Sequence, residues 1–113
     1  MKQMKQMDDE LEKNRRFLLE VEQGIRLANN EVIHDKIPPV TTERMLSFAV
    51  SVAKLRLNYI EGAFTFADTK LPSGDSGEAQ VKALRLHRER FEESRNAYLA
   101  LQRAIEIGYI ATE

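Results

Sequence analysis

The residues of this chain best suited to chemistry are few. The stretch "EVIH" sets Glu31 and His34 three apart, a spacing that puts a carboxylate and an imidazole on one helix face, as in carboxylate-bridged di-iron bundles. Such a centre takes two copies of the motif and further glutamates from neighbouring helices. The sequence holds one copy, so only a symmetric partner would complete the set. The plainer role for His34 and Lys36 is to place positive charge at a helix C-terminus. No glycine-rich phosphate loop, serine nucleophile setting or clustered Asp/His site is present.

The second histidine, His87, lies in "LRLHRERFEE". A phosphorelay histidine on a four-helix bundle is followed by lysine and small residues, whereas Arg88, Glu89 and Arg90 follow here. Arg85, Arg88, Arg90, Arg95 and Arg103 alternate with Glu89, Glu92, Glu93 and Glu106, a pattern of spaced ion pairs on a wet face rather than a phosphate-binding stripe. "SRNAYLAL" resembles the Arg-Asn-x4-His signature of helical nucleases from toxin–antitoxin systems through Arg95 and Asn96. Leu101 stands where that chemistry needs its acid–base histidine. "AVSV", "NYIEG" and "IGYI" resemble short segments of the helical-bundle proteins encoded in ribosomal RNA intervening sequences. That resemblance implies a helical bundle. The family's proline inside the second helix and its basic character are missing.

Composition points the same way. The 113 residues make one domain; 42% are hydrophobic, 31% are charged, and three prolines and five glycines stand among many Glu, Arg, Leu and Ala. A formal charge of -1 offers no electrostatic reason to expect nucleic acid or anionic lipid as the main partner. With no cysteine, a disulfide framework and a thiolate metal site are excluded. "MKQMKQMDDELEKNRR" lacks the apolar stretch of a signal peptide, so a cytoplasmic location is expected. Its repeats leave Met1, Met4 and Met7 as alternative starts.

Two breaks divide the chain. "HDKIPPVTT" carries Pro38 and Pro39, which remove amide donors and force Ile37 out of helical geometry. "DTKLPSGDSGE" combines Pro72, Gly74 and Gly77 with small polar residues. Helix 1 is expected over about 5–34, helix 2 over about 42–68 and helix 3 over about 76–107. Thr41 is the expected cap of helix 2, with Glu43 in its first turn and Val40 and Met45 as a hydrophobic staple. "DSGE" approximates a capping box for helix 3, and Gly108 is its expected stop.

Helix 1 carries a heptad row: Met4, Met7, Leu11, Asn14, Leu18, Val21, Ile25, Ala28 and Val32. Phe17, Leu19 and Leu27 widen it toward a bundle face. Gly24 costs about 1 kcal/mol in helix propensity, so a close helix contact or a slight kink is expected there. Asn14, the single polar member, would fix register.

Helix 2, within "RMLSFAVSVAKLRLNYIEGAFTFAD", has too short an uncharged run, Met45 to Ala53, to span a membrane. Ser47, Ser51, Lys54, Asn58, Glu61 and Thr65 form its polar stripe. Leu46, Val50, Ala53, Leu57, Ile60, Phe64 and Ala67 make one apolar row. Met45, Ala49, Val52, Tyr59, Ala63 and Phe66 make another, with Arg56 falling among them. Arg56 either lays its stem on apolar surface with its head outward or meets a carboxylate. The apolar arc is wider than the roughly 100° of a surface helix, which makes helix 2 central. In helix 3, Leu84, Phe91, Tyr98, Leu101 and Ile105 share a face, while Leu86, Leu99, Ile107 and Ile110 lie off it.

The expected fold is therefore all-α, an antiparallel bundle of three long helices completed by self-association into a larger bundle, most simply a homodimer. The expected function is non-enzymatic: a coiled-coil-like protein–protein interaction module with no cofactor, acting as an adaptor, assembly factor or small chaperone. Leu11, Asn14, Leu18, Val21, Ile25, Arg56, Tyr59 and Phe66 are its expected interface. The partner is a second copy or a helix of another protein. The alternatives are a metal-binding bundle enzyme using Glu31 and His34 across a symmetric interface, and a helical RNA-associated protein using the helix 3 arginines.

Overall fold

The computed structural model describes residues 1–70 and 75–113, with 75 and 76 as backbone only. It is all-helical. α1 spans Lys2–Lys36, α2 spans Thr42–Asp68 and α3 spans Asp75–Glu106. The Pro72 and Gly74 break and the Ser76 cap of the expected capping box lie outside what is described. Gly77, in the break-rich stretch but inside the expected helix 3, lies in the first turn of α3.

Each helix has a local cause. α1 is rich in strong helix formers, and Glu12–Arg16 and Glu22–Arg26 pair across one turn at 3.6 and 3.2 Å, with the acid on the N-terminal side. It ends where Ile37, ahead of Pro38, turns extended at φ -110° and ψ 113°. α2 starts at Thr41, whose Oγ1 accepts from the Arg44 amide at 3.1 Å. α3 stops in a Schellman turn. Gly108 takes φ 83°, its amide donates to the Ile105 carbonyl at 3.1 Å, and the Tyr109 amide donates to the Ala104 carbonyl at 2.8 Å.

α2 and α3 form an antiparallel hairpin. Phe48 meets Tyr98 with ring centroids 5.7 Å apart, Tyr59 meets Phe91 at 6.2 Å, and Gly62 faces Leu84 and His87. Numbering thus rises along one helix as it falls along the other. Val52 and Phe91, 8% and 9% exposed, are the centre of this pair.

A second small core closes the open end of the hairpin. The chain after Gly108 returns beside the α1–α2 linker, where the Val40 amide donates to the Ala111 carbonyl at 2.8 Å and the Glu113 amide donates to the Val40 carbonyl at 3.0 Å. Val40 and Ile110 are buried within this clasp. No polar or charged residue is buried as a whole among the described residues, although Asn30 Oδ1 and Gln80 Oε1 are covered without a hydrogen-bond partner.

α1 stands apart. Among the described residues, helix packs on helix only between α2 and α3. The expected three-helix bundle is therefore not assembled within one chain. The reason is at the linker: Pro38 and Pro39 hold it extended, and the clasp ties it to the C-terminal segment. The molecule is correspondingly open, with Cα extents of 72 × 45 × 17 Å and a radius of gyration of 23.5 Å, against about 13 Å for a compact domain of this length.

Candidate interaction surface

The face of α1 that should be its inside is its outside. Leu11, Leu18, Val21 and Ile25 are all exposed, Leu18 at 63%, and Asn14 between them is exposed as well. No residue of α1 is buried. Gly24 makes no close approach: a Cβ there would meet nothing within 4 Å. α1 touches the rest of the chain at its last turns, where Asn29 Nδ2 donates to the Tyr109 hydroxyl at 3.2 Å. His34 Nε2 lies 3.1 Å from the Gly108 carbonyl oxygen; that oxygen only accepts, so the ring nitrogen donates.

The two apolar rows of α2 part company. The row containing Val52, Tyr59 and Phe66 turns to α3, where Val52 is buried and the two aromatic rings are half-buried. The row from Leu46 to Ala67 is exposed along its whole length, with Phe64 at 66%. Two of the expected interface residues of α2, Tyr59 and Phe66, thus lie toward the partner helix inside the chain. Arg56 lies along the same side with its head exposed, and its guanidinium carbon sits 5.0 Å from the Phe91 ring centroid. Arg95 approaches the same ring at 5.3 Å. The two cations share one aromatic partner, and Arg56, being exposed, keeps its N–H donors in reach of water.

One concave feature was missed by pattern alone. Near the α2–α3 loop, Asn58, Glu61 and Thr65 face Gln80, Leu84 and His87 across an open groove of about 410 Å³. Its position depends on the crossing of two helices, which periodicity does not give. The carboxylate of Glu61 and the ring of His87 belong to this groove, but neither is paired with a second acid or base among the described hydrogen bonds and ion pairs.

Glu31 and His34 are not joined by a third ligand. Among the described residues, no three His, Cys, Asp or Glu side chains come together in a way that could hold a metal ion. Nor is any described helix long and apolar enough to cross a membrane. No family model matches the sequence, and neither a curated protein nor a solved structure matches it.

Proposed function

We propose that this chain is a non-enzymatic helical protein–protein interaction module, an adaptor, assembly factor or small chaperone, that works in the cytosol as a homo-oligomer. Its mechanism is the burial of helix faces against helix faces, with α2 at the centre and the surplus faces of α1 and α3 completing the bundle.

The observation that carries this reading is an area. The chain exposes 9548 Å², whereas a folded monomer of 13.0 kDa exposes about 6,300 Å². The excess, about 3,200 Å² per chain, is roughly four times the ~800 Å² that each partner contributes to a standard interface. Large apolar side chains exposed on α1 and α2 include Leu18, Leu27, Leu46 and Phe64. Rows of large apolar side chains left open in this way mark contact surfaces.

Molar mass by light scattering after size exclusion, over a wide concentration range, tests the reading. A fixed dimer or larger assembly is the expected result. A monodisperse monomer at all concentrations would remove the homo-oligomer.

A further inference from the structure

The exposed row of α1 and the exposed row of α2 have matching spacings. From Leu11 to Val32 the α1 row steps by three and four residues alternately; from Ala67 back to Leu46 the α2 row steps in the same order. Laid antiparallel, the rows match layer for layer, Leu11 with Ala67, Val21 with Leu57 and Val32 with Leu46, and the numbers in every layer sum to 78. Within one chain these rows do not meet. We infer that α1 is an exchanged arm: the exposed row of α2 is covered by α1 of a second copy, and the exchange is reciprocal about a two-fold axis. This rests on the self-association proposed above and specifies its contacts.

The flanks of the seam agree with the layers. In an antiparallel pair, like edges meet. On one edge this register brings Arg15 to Glu61 and Glu22 to Lys54, opposite charges in both cases. On the other edge it brings Gly24 to Arg56 and Phe17 to Ala63. Gly24, over open space in the single chain, would then leave room for the long Arg56 side chain. The like-charged pair Asp8 and Asp68 falls beyond the last layer.

The same register would serve an α1 folded back on its own α2, turning at Pro38 and Pro39. The clasp argues for the exchanged form. Four hydrogen bonds, Asn29 to Tyr109, His34 to Gly108, Val40 to Ala111 and Glu113 to Val40, tie the base of α1 and the linker to the C-terminal segment. With the base of the arm held there, α1 is directed away from its own hairpin. Exchange is also the arrangement in which a dimer covers all four rows; pairing α1 with α1 would leave both α2 rows in water. A proline-stiffened hinge that holds an arm open favours swapping between identical copies.

Because the chain has no cysteine, crosslinking tests this cleanly. Ala28 and Val50 share a layer. Under mild oxidation a chain carrying both Ala28→Cys and Val50→Cys should form a covalent dimer, and singly substituted chains should crosslink only after the two are unfolded and refolded together. A covalent monomer from the double variant would place α1 on its own α2 and overturn the exchange. A dimeric mass without the 28–50 crosslink would overturn the exchange while leaving self-association standing; a monomeric mass would remove both. In case the cysteines disturb folding, a charge test gives the same answer. A chain with Arg15→Glu and Glu22→Lys, refolded with a chain carrying Lys54→Glu and Glu61→Lys, should yield heterodimer in excess of a random mixture. No excess would count against the exchange.

Discussion

The guanidinium carbon of Arg56 lies 5.0 Å from the centroid of the Phe91 ring, and Phe91 is the buried residue of α3 among those described. The relationship separates two contributions to the hairpin. Phe91 supplies apolar burial between the helices; Arg56 adds a cation over the ring at an exposed edge.

Phe91→Ala should cost about 3–5 kcal/mol, the range for emptying an aromatic site in a core. Arg56→Met keeps most of the stem and removes the charge, so it should cost about 0.5–1 kcal/mol. Denaturant unfolding of both variants, at one protein concentration, gives the comparison. Equal losses would mean that the Arg56 charge has a partner beyond the ring.

The left-handed turn at Gly108 makes a second case. At φ 83° a side chain is strained, so Gly108→Ala should destabilise by about 1–2 kcal/mol. The effect should be local to the clasp. Hydrogen exchange at the Val40 and Glu113 amides should accelerate more than exchange in the middle of α2. Uniform acceleration would show that the clasp and the hairpin open as one unit.

The local signals in the sequence were dependable because their causes are local. Thr41 caps α2, Gly108 stops α3, and Pro38 and Pro39 end α1 within two residues of the expected boundary. The heptad row of α1 was equally legible. What pattern alone did not disclose was where α1 goes. A row of Leu11, Leu18 and Ile25 says that a mate is needed and nothing about whether the mate is on the same chain. The clasp that turns α1 away depends on a contact between Val40 and residues some seventy positions later. The division of α2 into an α3-facing row and an open row was hidden for a similar reason: both rows are apolar, and only the crossing with α3 chooses between them. Arg56 fell in the α3-facing row, and its way of being accommodated, over Phe91, came from a helix that periodicity could not position.

The Glu31 and His34 pair makes a prediction about metal. His34 spends Nε2 on the Gly108 carbonyl, and no described third ligand is near. Purified protein loaded with iron, manganese or zinc and then freed of excess should therefore retain no stoichiometric metal, as measured by elemental analysis. One metal per dimer that is lost in both Glu31→Gln and His34→Ala would instead establish a site completed across the two-fold axis.

Asn14 is the last and most discriminating position. It is exposed in the single chain yet lies in the heptad row between Leu11 and Leu18. In a mated seam its amide is held away from water among apolar neighbours, a cost retained because it disfavours shifted alignments. Asn14→Leu should then raise the stability of the oligomer by about 1 kcal/mol or more, by removing an imperfectly paired polar group. It should also permit alternative registers, seen as additional crosslinks beyond the 28–50 pair. If α1 stays solvated in solution, the same substitution adds one more exposed leucine: thermal unfolding stays put and solubility falls. An unchanged oligomer, with no added registers and no gain in stability, removes the register role from Asn14.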